Sequence, residues 1–191
     1  PLPTKARVWV CGAMEEIRGC LPFPLVALGT DTGTEFINNN LFDWCQANHV
    51  AFSRARPYRK NDNCFVEEKN NSLVRRTVGY LRYDTPEELA LLKAIYQRET
   101  LLSNYFYPWM KLVQKSRRGA RVYRRHDVPR TPCQRLLERQ DVPQEIKESL
   151  RATFEQLNPA ALKRELTDLQ QQLYKIASSK PAPVVRPRGK D

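Results

Sequence analysis

Apolar residues recur at three- and four-residue spacing in several stretches of this chain, and those stretches predict helices. Between Lys5 and Arg18, Val10, Ala13 and Ile17 repeat at helical spacing, with Val8 and Cys11 marking further turns. Gly19 and the pair Pro22/Pro24 are expected to end this helix. Leu25-Val26-Ala27-Leu28 is a short apolar run without alternation, the pattern of a strand covered on both faces. Thr32-Gly33 makes a turn, and a second helix starts at Thr34 or Glu35, carrying Phe36, Ile37, Leu41, Trp44 and Cys45 on its apolar stripe. Asn48-His49 closes it, and Val50-Ala51-Phe52-Ser53 reads as the next strand. Helix, strand, helix, strand over residues 5–53 implies a parallel pair in an α/β sheet. Two short strands do not make a stable sheet alone, so further strands are expected upstream.

Residues 54–63 form a polar, cationic loop in which Pro57 and an Asn/Asp cluster disfavour regular structure. A helix follows to about Val78, with Gly79 placed as its stop. Pro86 opens another helix, capped by Asp84 or Thr85, with Glu87 and Glu88 in its first turn. Leu89, Leu92, Ile95, Tyr96 and Leu102 form its buried stripe, and the aromatic run 104–109 is expected to pack back on the core. Residues 111–125 alternate around Arg117-Arg118-Gly119 as a basic hairpin. Two helices are expected at 143–156 and 159–177. Leu162, Leu166, Leu169, Leu173 and Ile176 stripe the second, a pattern that favours core packing over a partner surface. Residues 178–191 hold three prolines and four basic residues and read as a flexible tail.

Charge changes the picture. The net charge is +11 and the apolar fraction 41%. The surplus sits in two blocks, residues 54–76 with 7 basic against 3 acidic residues and residues 111–139 with 10 against 2. A polyanion is the natural partner for such blocks, a solvated basic face the plainer alternative. No apolar run reaches the ~18 residues of a transmembrane helix. The five cysteines are scattered, without Cys-x-x-Cys, so neither structural zinc nor a disulfide framework is expected. The start at Pro1 carries no signal segment and suggests that the front of a longer protein is missing.

Two acids carry the candidate chemistry. Asp31 follows the first apolar run and precedes a glycine turn. Glu67, separated from it by 35 residues, sits near the start of the helix after the basic loop. Taken singly, each has a bland reading, as a turn cap or a helix-dipole partner. Together they suit oxygen ligation of a divalent cation. Two carboxylates ~5 Å apart repel by about 3 kcal/mol at an effective dielectric near 20, and a cation reverses that penalty.

Asp31-Thr32-Gly33-Thr34-Glu35-Phe36 resembles the Asp-Asn-Gly-x-Glu-Phe motif of the retroviral-type integrase catalytic core. This is the acid-triad (DDE) family that also contains many bacterial insertion-sequence transposases. Arg56 to Asn63, continued by Val66-Glu67-Glu68-Lys69-Asn70, resembles the segment carrying that family's last acid. The resemblance covers most of residues 1–140. Thr32 stands where Asn is usual. The family's first aspartate, on the first strand of the sheet, has no counterpart here, and Asp43, inside a helix, is no substitute.

The resemblance implies an α/β, RNase H-like core lacking its first strands, followed by a basic, mostly helical extension. It divides the chain into the C-terminal part of a catalytic core (1–106), a basic hairpin and helical extension (107–178) and a basic tail (179–191). It implies part of a DNA transposase or integrase that cleaves and joins strands. Two Mg²⁺ (or Mn²⁺) ions serve the complete enzyme, with Asp31 and Glu67 as catalytic metal ligands. Glu68, about 100° further round the helix, competes with Glu67. The fragment alone is expected to be inactive for want of the first aspartate. Candidate DNA contacts are Arg56, Arg59, Lys60, Lys69, Asn70, Asn71, Arg75 and Arg76 near the acids. A second track comprises Arg117, Arg118, Arg121, Arg124 and Arg125. Tyr58 could stack on an unpaired base. The resemblance further implies a homo-oligomer holding two DNA ends, no membrane, and a bacterial cytoplasmic, nucleoid-associated location. The competing reading is a non-catalytic DNA-binding remnant of a decayed mobile element. RNA binding finds no aromatic RNP pattern or Gly-x-x-Gly clamp to support it.

Overall fold

A computed structural model describes residues 7–30, 39–56, 62 and 64–180. Among these residues the fold is mixed α/β, mostly helical, with two small two-stranded sheets. The order is α1 (Arg7–Cys20), β1 (Ala27–Thr30), α2 (Asn39–Ala47), β2 (Ala51–Arg54) and α3 (Cys64–Lys69). A π-helical turn (Asn70–Arg75), α4 (Arg76–Val78) and α5 (Pro86–Tyr105) follow. The chain then forms β3 (Leu112–Arg118), β4 (Arg121–His126), α6 (Pro132–Leu137), α7 (Gln144–Gln156) and α8 (Pro159–Ser178). No helix among the described residues is long and apolar enough to cross a membrane.

The expected parallel pair forms, with Ala27 opposite Ala51 and Thr30 opposite Arg54. β1 lies two residues later than its apolar run suggested, with Val26 O already accepting the Ala51 N–H at 2.9 Å just before it. Helix α1 likewise runs through Gly19 to Cys20; proline, not glycine, sets the limit. Leu41, Cys45, Val10 and Val50 are buried. Trp44 Nε1 donates to Glu15 Oε1 at 2.6 Å, and Arg18 Nη1 donates to Asn48 Oδ1, pinning α1 on α2. His49 takes a left-handed φ of 55° to turn the chain into β2. The expectation of a strand covered on both faces is corrected. Residues of β1 alternate between exposed and half-buried, and Val26 just before it is 71% exposed. Two strands and two helices offer too little surface to cover both faces.

The second core is a leucine seam. Ile95 and Leu102 of α5 meet Leu162, Leu166 and Leu173 of α8, with Leu91, Leu92 and Leu169 at the margin. Fully burying each such side chain is worth about 1.5–3 kcal/mol. Arg98 pairs with Glu165 and Glu88 with Lys180, so the helices run antiparallel. α5 therefore packs along α8 across the 106/107 boundary drawn from sequence. Asn158 caps α8 by accepting from the N–H groups of Ala160 and Ala161, with Pro159 behind it. Tyr105 and Phe106 pack on Phe154, whereas Tyr107 and Trp109 remain exposed, so only part of the aromatic run folds back.

The start of α5 is a capping box. The Glu88 N–H donates to Thr85 Oγ1 at 3.2 Å, and Glu88 Oε2 accepts the Thr85 N–H at 2.9 Å. Glu88 is fully buried, and the same oxygen accepts from the Asp84 N–H at 2.8 Å and from Lys180 Nζ at 2.6 Å. Lys180 also holds Asp84. The residues just after α8 are thus anchored, which moves the start of the expected tail beyond Lys180; residues 181–191 lie outside the described residues. Burial alone would favour the neutral Glu88 acid. The Lys180 ammonium and the Thr85 and Asp84 N–H groups outweigh it and bring the carboxyl down to about 2. A folded pKa below the ordinary 4.5 gives stability that is complete above that value and is lost as pH falls toward 2. Glu88→Gln is expected to lower stability at pH 7 and to flatten its dependence between pH 4.5 and 2, measured by urea unfolding across that range. An unchanged pH dependence would contradict the Glu88–Lys180 assignment.

Candidate nucleic-acid interface and acid site

Parallel pairing brings the carboxyl ends of β1 and β2 side by side. Thr30, the last residue of β1, accepts the Ala55 N–H at 2.8 Å just past β2. In open α/β sheets, ligands bind beyond the carboxyl ends of strands. The chain reaches Asp31 directly after Thr30, and beyond β2 it runs through Arg56 towards α3. Asp31, Arg59, Lys60 and Tyr58 lie outside the described residues.

Glu67 is exposed in the first turn of α3, and it has no ion-pair partner among the described residues. Its neighbour Glu68 is bound to Lys69 at 3.5 Å. The two acids thus differ only in that Glu68 has Lys69 alongside it on the surface. No group of three or more His, Cys, Asp or Glu suited to a metal occurs among the described residues.

The cations near the acids hold defined positions. The Arg56 guanidinium makes two 2.9 Å bonds to the Asp62 carboxylate, and its N–H adds a third at 3.1 Å. These bonds close the neck of the loop and hold Asp62 down at about 2. Lys69 Nζ lies 4.1 Å from the centre of the Trp109 ring, and Arg75 lies 4.8 Å from that of Tyr80. Asn70 and Asn71 are exposed on the π turn, where the expected continuous α-helix widens. The Arg76 N–H donates to Asn71 O, five residues back. Asn and Ser side chains compete with helical backbone bonds, and here three of them begin the widened turn. Arg76 is exposed immediately after it. Gly79, at a φ of 71°, ends α4 as expected. Gln170 of α8 donates to Thr77 O at 2.6 Å, tying this segment to the leucine seam.

The second track is an exposed antiparallel ribbon. Arg118 faces Arg121 across the tight turn, Lys115 faces Arg124, Arg117 faces Val122 and Gln114 faces Arg125. Gly119 takes a φ of 59° at the first turn position, the conformation of a type II′ hairpin. Every residue of both strands is exposed. Its base is fixed by paired backbone bonds between Trp109 and Arg130, 2.9 and 3.2 Å long. Asp127 accepts from Arg135 Nη1 and from the Lys111 N–H, both at 2.6 Å. Hydrogen bonding from Arg135, then from the Lys111 N–H, holds the Asp127 carboxyl at about 2.

Several positions that shape the candidate site were not apparent in the sequence. Lys115 belongs to the ribbon as fully as the five arginines, and its place opposite Arg124 was the available signal. Trp109, Asp62 and the Asp127–Arg135 pair act through contacts eight or more positions apart or through an irregular loop, which periodicity does not reveal. Helix α6 was missed too; its signal is Thr131-Pro132-Cys133-Gln134, a capping box in which the Gln134 N–H donates to Thr131 Oγ1.

No family model matches the chain. It is 38% identical over 135 residues to an uncharacterized protein, y4rM, of Sinorhizobium fredii, a stretch covering 71% of this chain and 39% of that protein. The chain thus spans well under half the length of that relative.

Replacing Arg135 by Leu is expected to loosen the ribbon at its base. Amide hydrogen exchange should speed up several-fold at residues 109–112 and 126–130 while α5 and α8 stay protected. Uniform acceleration, or none, would contradict the anchoring role.

Proposed function

We propose that this chain is the C-terminal part of a DNA transposase or integrase of the acid-triad class, with an RNase H-like core. The observation that carries the reading is the parallel register of β1 and β2. It sets the strand end leading into Asp31 beside the strand end whose chain continues to Glu67. The exposure of Glu67, without an ion-pair partner among the described residues, and the basic ribbon add support.

Asp31 and Glu67 would hold divalent metal in the complete enzyme, and Mg²⁺ or Mn²⁺, two ions in all, would supply Lewis-acid polarisation of the scissile phosphodiester. The rest falls to side chains. Arg56 and Asp62 fix the loop between β2 and α3. Lys69, Asn70, Asn71, Arg75 and Arg76 present donors next to the acid helix, where DNA ends need orienting. The cations of 115–125 hold duplex further out. No aspartate of these 191 residues matches the family's first acid, so strand cleavage requires a further carboxylate and the chain alone is inactive. Pairing two DNA ends calls for a homo-oligomer, and DNA as substrate fits a bacterial nucleoid-associated setting.

A second reading, a DNA-binding remnant without catalysis, is favoured by the ribbon, whose chemistry needs no metal. Strand cleavage and joining by the longer protein that carries this chain separate the two. Glu67→Gln and Asp31→Asn are each expected to lower Mg²⁺-dependent cleavage at least about 100-fold. Duplex affinity should change little, and Glu68→Gln should be nearly silent. Cleavage surviving the loss of both Asp31 and Glu67 would overturn the acid assignment; metal-independent binding without any cleavage would favour the remnant.

A further inference from the structure

We infer that the β3–β4 ribbon enters a groove of duplex DNA edge-on, its two faces contacting the phosphates of the two opposite strands. The inference rests on the reading of this chain as a DNA-acting protein and specifies how its outer track binds.

The register decides which cations share a face. Side chains alternate along a strand, and directly opposed residues lie on the same side. Arg118, Arg121 and Arg125 therefore occupy one face with Tyr123, and Lys115, Arg117 and Arg124 the other with Val122. Each face carries three cations. The strands contain no acid, and none of the six makes an ion pair among the described residues.

Such an arrangement is costly for the free protein. Like charges directly opposed, as in Arg118/Arg121 and Lys115/Arg124, destabilise a ladder. A lone two-stranded ribbon is marginal in water. Neither face is covered to compensate, since every residue of both strands is exposed. A polyanion on each side relieves the repulsion; a polyanion on one side relieves half of it.

Dimensions select the ligand. Seven residues of strand span about 23 Å, enough to follow several base pairs. The B-form major groove, about 12 Å wide, admits a two-stranded ribbon. The A-form major groove of duplex RNA is too narrow. Long arginine and lysine side chains on both faces then reach the two groove walls. With the cations on the walls, contact is mainly with phosphate, so sequence preference should be slight.

Fluorescence anisotropy of the full chain with a labelled 20-bp DNA duplex, in EDTA and over a salt series, tests this. Each neutralised phosphate contributes about −0.9 to the slope of log affinity against log salt. The variants R118Q/R121Q/R125Q and K115Q/R117Q/R124Q are each expected to make the slope shallower by about 2 to 3. The matching lysine variant R118K/R121K/R125K should retain the slope, and unchanged circular dichroism confirms folding. If only one of the two glutamine variants alters the slope, the ribbon lies flat and the inference is overturned. If neither does while the unmodified chain binds steeply, the ribbon inference fails and the DNA reading stands. If the unmodified chain binds no duplex at low salt, the DNA reading fails with it. Equally tight binding of an RNA duplex would overturn the choice of groove.

Discussion

The antiparallel seam of α5 and α8 is the constraint on which the positions of the functional elements depend. Its apolar residues are buried between the two helices, and its ends are specified by polar contacts. Lys180 on buried Glu88 sets one end, and Arg98 with Glu165 sets the middle. Gln170 then holds the acid-bearing helical segment through Thr77 O. On the other side, α5 packs on α6, which carries Arg135 to the ribbon base. A register slip along the seam would move both elements at once.

Two kinds of cationic site follow, and they differ in how their charge is compensated. Near Glu67, cations are held by carboxylates and rings: Arg56 by Asp62, Lys69 by Glu68 and Trp109, Arg75 by Tyr80. Such contacts fix direction, the carboxylates offsetting charge and the rings leaving it in place. Along the ribbon, the cations make no ion pair among the described residues, and two cross-strand pairs set cation against cation. The first pattern suits orientation of a substrate at a reacting centre, the second suits capture of an extended polyanion. Trp109 joins them, since it lies at the ribbon base while Lys69, two residues beyond Glu67, rests on its face.

Much of this architecture was legible where local chemistry decides the outcome. The leucine spacing of α8, a cap at Asp84 or Thr85 that the fold resolves to Thr85, the Gly79 stop and the glycine-centred hairpin are each specified within a few residues, and each formed. The parallel pairing of β1 with β2 followed from alternation of elements. Longer-range features were not legible. Nothing local marks Lys180 as the partner of Glu88, nor Lys69 as resting on Trp109, because both contacts depend on how distant elements pack. The π turn hides inside a helical pattern, since asparagine-rich surface is equally consistent with an ordinary helix face. Burial of β1 was misread because an apolar run describes what a strand could bury, whereas cover depends on its neighbours. For the acid site, Glu67 was placed correctly at the start of a helix, while Asp31 lies outside the described residues.

The central claim is that Asp31 and Glu67 converge on one divalent cation. Titration of Mn²⁺ into the isotopically labelled chain, followed by paramagnetic broadening of amide resonances, tests it directly. The account predicts that amides at 30–32 and 66–69 broaden together at a common midpoint, and that Asp31→Asn removes both effects. Broadening at only one of the two segments, or at separate midpoints, would contradict it.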